Sequence, residues 1–182
     1  MPSESRSEKW HAAREITPEK LETARQILDA VRAGEDVYRA VRNHPLPEGG
    51  YLGKHVLVAA YRALVESGQW QQDQALLARI RMKPVRSLSG VTTVTVLTRP
   101  YPCVGKCVFC PPDARMPKSY LPDEPGAARA YQSHFDPYDQ VNSRLVQLEA
   151  VGHPTDKIEL LILGGTWSNY RRDYQEEFVR RC

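Results

Sequence analysis

The chain has 182 residues, enough to bury a sizeable core but little more than one average domain. Its hydrophobic content of 41% and charged content of 26% are those of an ordinary globular protein, which argues against a disordered or fibrous chain. A formal net charge of +3 permits a nucleic-acid partner without requiring one.

The first dozen residues are polar and read as a frayed end. The start, MPSESRSEKWHAARE, has no apolar signal core, and no stretch is long and apolar enough to span a bilayer. A helix start follows at Thr17 with Pro18 in the first helical position. Leu21, Ala24, Ile27, Leu28 and Val31 then recur at helical spacing, and Gly34 marks the stop. The pattern predicts a second helix over 35–43, ended by the Pro45/Pro47/Gly49/Gly50 cluster. A third runs over 53–66 with Val56, Leu57, Ala60, Tyr61 and Leu64 on its apolar face, and a fourth carries Leu76, Leu77 and Ile80. Residues 1–86 thus read as a helical region.

From Val91 to Thr98 the run VTTVTVLT is β-branched and predicts a buried strand. It leads directly into three cysteines. Residues 111–126 are proline-rich and read as irregular. Asp136 caps a helix with Pro137 at its first position, Val141, Leu145 and Leu148 as its buried stripe, and Gly152 beyond its end. KIELLIL, residues 157–163, is a continuous apolar strand closed by Gly164-Gly165, and a further helix begins near Arg172. Strand, loop, helix, strand, loop, helix is the order of parallel α/β structure, and apolar runs without polar alternation imply burial on both faces. Two strands do not make a stable parallel sheet, so the expectation for 87–182 is the first part of a larger, truncated domain.

The cysteines form a C-x3-C-x2-C array at Cys103, Cys107 and Cys110. The fourth cysteine, Cys182, ends the chain, so a secreted disulfide framework does not fit, and a reducing, cytoplasmic setting is expected. Thiolates suit iron–sulfur clusters and zinc. A structural zinc site wants four ligands, and the nearest further candidates, His134 and Cys182, are remote in sequence. Three thiolates can instead hold three irons of a 4Fe-4S cube and leave the fourth iron open to the amino and carboxylate groups of S-adenosylmethionine. The readings in play are therefore a cluster, a zinc site completed at a distance, and inert thiols. In the first, Phe109 packs on the adenine or else plugs the core as a loop aromatic. Gly164, Gly165 and Thr166 let the backbone approach the methionyl group, or simply form a turn.

Residues 79–112 carry Arg79, Arg81, Lys83, Arg86, Arg99 and Lys106 and no acidic residue. Such a one-signed stretch grips phosphates or forms a solvated face, and charge alone leaves both open.

RMKPVRSLSGVTTVTVLTRPYPC, SYLPDEPGAARA, FDPYDQ, GHPTDKIE and LILGGTW, in this order, resemble the catalytic subunit of Elongator from about residue 81 onward. The helical start fits more loosely. The resemblance implies a tRNA-binding helical region, then a radical S-adenosylmethionine partial (β/α) barrel, with the remaining barrel and an acetyltransferase domain outside this sequence. It implies a tRNA uridine(wobble) carboxymethyl-forming acyltransferase that uses a 4Fe-4S cluster, S-adenosylmethionine and acetyl-CoA. In that chemistry an adenosyl radical activates the acetyl group, whose carbon adds to C5 of uridine. Carried over by position, Cys103, Cys107 and Cys110 match the cluster ligands, and Lys157 matches a lysine assigned to acetyl-CoA. Lys83 and Arg86, flanked by Arg79 and Arg81, match the basic connection to tRNA. Partners would be tRNA and the rest of the enzyme or a second copy. Two departures stand out. Many relatives have a longer gap between the first two cysteines. Pro111-Pro112-Asp113 replaces a frequent Pro-Gly-Gly, so the turn there must avoid positive φ. The competing functions are a radical enzyme acting on a small molecule and a non-catalytic tRNA- or zinc-binding module.

Overall fold

A computed structural model describes residues 16–182 of the chain, so the expected frayed start lies outside the described residues. Helices and two strands fall into two compact units, one of residues up to 85 with 150–153 and one of 86–149 with 154–182.

The first unit contains α1 (Pro18–Arg32), α2 (Val37–Asn43), α3 (Lys54–Glu66) and α4 (Gln74–Ile80). Three of the four starts are capped by a side chain, and α3, which follows Gly53, is not. Thr17 Oγ1 accepts the Lys20 N–H at 3.3 Å, Asp36 accepts from Tyr38 and Arg39 at 3.0 Å, and Asp73 accepts from Leu76 at 3.0 Å. Ala24, Ile27, Leu28 and Val31 of α1 are fully buried against Val56, Leu57, Ala60 and Tyr61 of α3 and Leu76 and Ile80 of α4. The Tyr61 hydroxyl accepts the Asp73 N–H at 2.6 Å and donates to the Asp73 carbonyl at 3.0 Å, which fixes the entry to α4 on α3.

The second unit is built on β1 (Thr92–Leu97) and β2 (Ile158–Leu163), which pair in parallel with Thr92 opposite Ile158 and Leu97 opposite Leu163. A 3-10 turn, Pro84–Ser87, precedes β1, and another, Trp167–Asn169, follows β2. Between the strands run α5 (Pro125–Gln132) and α6 (Pro137–Ala150), and α7 (Arg172–Arg181) comes last. Val94 and Val96 pack with Leu148 of α6 and Phe178 of α7 on one face of the sheet. Leu97 packs with Met116 and with Ala127 and Ala130 of α5 on the other. The α5 helix is absent from the sequence expectation, which read 111–126 as irregular and assigned no element to 127–135.

Gln140 of α6 is buried and substitutes for a missing strand. Its amide accepts the Leu97 N–H at 2.9 Å and donates to the Leu97 carbonyl at 3.0 Å, sealing that point of the β1 edge turned away from β2. The expectation of burial on both faces holds in full for neither strand: on β1 Thr92, Val94 and Val96 bury one face, but on the other Leu97 is buried and Thr93 is exposed, and on β2 Leu160 and Leu161 are 37% and 44% exposed. The reason is topological: in this two-stranded sheet each strand has one neighbour, and the fully buried residues of the core clusters lie on β1 and not on β2. No helix among the described residues is long and apolar enough to cross a membrane.

Candidate functional site

Both strands point their C-terminal ends the same way, so the loops that follow them meet. Thr98, buried directly after β1, gives its N–H to the Leu163 carbonyl at 2.9 Å and its side chain abuts Gly164. Tyr170 locks this corner. Its hydroxyl donates to the Arg99 carbonyl at 2.8 Å and lies 2.7 Å from Thr98 Oγ1, which is left to act as donor. The Tyr170 ring stacks between Tyr101 at 4.9 Å and Tyr174 at 5.1 Å. Tyr174 accepts the Arg99 N–H at 3.1 Å, and the Arg99 guanidinium sits 4.4 Å over its ring. The turn from strand to cysteine loop is therefore held by the side chains of Thr98, Arg99, Tyr101, Tyr170 and Tyr174.

Beyond that turn, Cys103, Cys107 and Cys110 line one cavity of about 480 Å³ together with Lys118, Gly164, Gly165 and Thr166. Segments more than fifty residues apart are thus brought to one place. Cys103 and Cys110 are half-buried and Cys107 is exposed, all as free thiols. Cys103 Sγ accepts the Gly105 N–H at 3.3 Å and lies 3.6 Å from Thr166 Oγ1. The Thr166 hydroxyl, then the Gly105 amide, then the nearby Lys118 ammonium lower the Cys103 thiol below its ordinary pKa. Among the described residues the lining includes Lys106 and Lys118 and no carboxylate or histidine. A second, apolar cavity of about 410 Å³ shares Gly164 and Gly165 and is walled by Tyr120, Ile162 and Trp167.

Among the described residues no three His, Cys, Asp or Glu side chains stand close enough together to hold a metal ion. The three thiols line the cavity, and neither His134 nor Cys182 joins them. Cys182 packs against the Val94, Leu148 and Phe178 core, and His134 sits in the turn after α5 with φ 49°.

The other sequence candidates fall elsewhere. Phe109 is 98% exposed, so it does not plug the core, and it does not line the cavity. Lys157 stands at the opposite end of β2, about 20 Å of strand from Gly164, and the structure does not bring it to the cysteines. Its carbonyl accepts the Thr92 N–H at 3.0 Å. Arg79 reaches the carbonyls of Val31 and Glu35, both at 2.7 Å, and so closes the end of α1. Arg81 donates to the Gly152 carbonyl at 2.7 Å. Lys83 is exposed with φ 51°, and Arg86 is exposed in the second unit. Pro111, Pro112 and Asp113 avoid positive φ, as the loss of the glycines requires. Sequence reasoning missed Lys118, Thr98 and Tyr170. The first lies in a stretch read as irregular, and the other two act through a contact 72 residues apart that no local pattern signals.

No family model matches the chain. Among curated proteins it is 46% identical over 118 residues to a tRNA uridine(34) acetyltransferase of Methanocaldococcus infernus, covering 62% of this chain and 22% of that protein. It is 37% identical over 120 residues to Elongator complex protein 3 of Saccharomyces cerevisiae, covering 60% and 22%. To Elongator complex protein 3 of Homo sapiens it is 30% identical over 168 residues, covering 86% and 30%. The chain thus spans less than a third of the length of these relatives.

Proposed function

Because the chain belongs to the Elongator catalytic-subunit family, we propose that it is the cluster-bearing amino-terminal part of a tRNA-modifying radical enzyme. The reaction would be addition of an acetyl-CoA-derived carboxymethyl group to C5 of the wobble uridine, completed with the part of the enzyme outside this sequence. The βαβ unit would begin a partial (β/α) barrel, in which sites form at the C-terminal ends of the strands.

One observation carries this reading: three cysteines and Gly164-Gly165-Thr166 line the same cavity. Cys103, Cys107 and Cys110 would hold a 4Fe-4S cluster, which when bound supplies the single electron for reductive cleavage of S-adenosylmethionine. The chain's own residues prepare that site. Thr166 and the Gly105 amide favour the thiolate of Cys103, the ligand form. Lys106 and Lys118 make the lining positive, which favours thiolates and a substrate carboxylate. Gly165 leaves backbone within reach of the methionyl group, and the apolar cavity beside it offers Tyr120 and Trp167 to an adenine. Tyr170 and Thr98 hold the two loops in register.

The test is anaerobic reconstitution with metal analysis. About four irons per chain and a broad absorbance near ~400 nm, both lost in Cys107→Ser, are expected. Zinc without iron would refute the radical reading. A tRNA gel shift that weakens with salt separates this function from a radical enzyme acting on a small molecule, which would bind no tRNA.

A further inference from the structure

A further cavity opens beside the cysteine site. Pro100, Tyr101, Pro102, Asp113, Met116 and Lys118 are among the residues that line it. Lys118 lines the cysteine cavity as well, so the two adjoin. Its volume of about 290 Å³ lies at the small end of the roughly 300–1,000 Å³ typical of ligand sites. That suits one flat ring rather than a whole coenzyme.

The apolar part of the lining is rigid. Pro100 and Pro102 flank Tyr101, whose ring is fixed against Tyr170 at 4.9 Å, and Met116 is buried. Such surface accepts the face of a base. The polar part is Asp113 and Lys118, with Arg115 bound to the first. Arg115 gives its backbone N–H and Nε to Asp113 Oδ1 at 2.9 and 3.0 Å, and Nη2 to Oδ2 at 2.6 Å. This fork holds the Asp113 carboxyl ionised, with a pKa of about 2, and leaves Oδ2 able to accept again. The guanidinium keeps further N–H donors beyond that pair. Lys118 is half-buried, and among the described residues its ammonium makes no hydrogen bond or ion pair. An ionised acceptor, the guanidinium bound to it and an uncommitted ammonium are thus gathered at one aromatic-walled cavity.

We propose that this cavity seats the uracil base of the RNA substrate, unstacked from its neighbours, beside the cysteine site. The inference deepens the tRNA reading above and rests on it. The pairing edge of uracil runs carbonyl, N3–H, carbonyl. Asp113 accepts the N3–H, Arg115 and Lys118 donate to the carbonyls, and the ring lies against Tyr101 and the prolines. Cytosine presents a bare N3 and an amino group on that edge. It would set a lone pair against the carboxylate and N–H groups against the cations, so the site rejects it by leaving charged groups unpaired. Sequence reasoning noted Asp113 only as part of a turn without glycines, because its meeting with Tyr101 and Lys118 depends on the fold.

The experiment measures binding of anticodon stem–loop RNAs to the reconstituted chain by fluorescence anisotropy. The wobble position carries uridine, 5-methyluridine, 3-methyluridine or cytidine. The first two keep the N3–H and the last two lack it. Uridine and 5-methyluridine should bind alike, and about tenfold tighter than the other two. This comparison uses the wild type and carries no folding risk. Asp113→Asn should erase the preference while leaving cluster content, and the response of the cluster signal to S-adenosylmethionine, unchanged. Equal wild-type affinities for the four RNAs would overturn the base site and leave the tRNA reading standing. A preference that survives Asp113→Asn would overturn it too. So would loss of the S-adenosylmethionine response in that variant, which would make the cavity part of the cofactor site. If the wild type binds none of these RNAs, the tRNA reading falls and the base falls with it as occupant.

Discussion

Replacing Gly164 by alanine should unfold the corner on which the site is built, whereas the same change at Gly165 should not. Gly164 has φ 147°, a conformation L side chains rarely adopt, and a Cβ there would overlap Thr98 Oγ1 and approach Thr98 Cβ to 3.0 Å. Thr98 has nowhere to go: it is buried, its N–H is bonded to Leu163, and its hydroxyl is bonded to Tyr170. Backbone strain of about 1–3 kcal/mol and overpacking of about 1–3 kcal/mol together give about 2–6 kcal/mol. That is a large part of the roughly 5–15 kcal/mol that holds a typical domain together. At Gly165 the nearest atoms to an added Cβ are Tyr170 Oη at 3.6 Å and Lys118 Cβ at 3.7 Å, ordinary contacts, so the cost should stay below about 1 kcal/mol. Thermal unfolding followed by circular dichroism distinguishes them. A fall on the order of 10 °C is expected for Gly164→Ala, with Gly165→Ala close to wild type. Equal melting temperatures for the two variants would refute the brace between Thr98 and Gly164.

Gln140→Leu should cost about 2–5 kcal/mol in urea denaturation, because the buried Leu97 N–H and carbonyl both lose their partner; an unchanged midpoint would show that the amide pairing is dispensable. In the metal-free, reduced chain, Cys103 should alkylate at lower pH than Cys182. Thr166, Gly105 and Lys118 stabilise the Cys103 thiolate, whereas burial and then Asp136 disfavour that of Cys182. A lower pKa means more thiolate at a given pH, so the Cys103 rate profile should lie on the acid side, read by peptide mass spectrometry. Coincident profiles would contradict these local causes.

Much of the scaffold is legible locally. Thr17-Pro18 and Asp136-Pro137 place two helix starts, since capping and the fixed φ of proline act within one turn. The Val91–Thr98 run places β1 because β-branched side chains fit a buried strand. The helix Pro125–Gln132 is hidden because only Ala127 and Ala130 are fully buried, and alanines give a weak periodic signal. The exposure of Leu160 and Leu161 is equally hidden, since it depends on how many strands flank β2. At the site, the cysteine spacing and the glycine pair are visible as patterns, and the cavity brings them together. The Thr98–Tyr170 contact exists only in three dimensions. Lys157 shows the converse: its assignment to acetyl-CoA rests on resemblance, and this structure sets it at the far end of β2.

The most direct test is low-temperature electron paramagnetic resonance of the reconstituted, reduced chain with and without S-adenosylmethionine. Among the described residues Cys103, Cys107 and Cys110 are the cysteines that line the cavity, with no carboxylate or histidine beside them, so one iron should remain open to the ligand. The cluster signal should shift on addition of S-adenosylmethionine. An iron–sulfur signal that the compound leaves unchanged, or no such signal, would contradict the assignment of this loop.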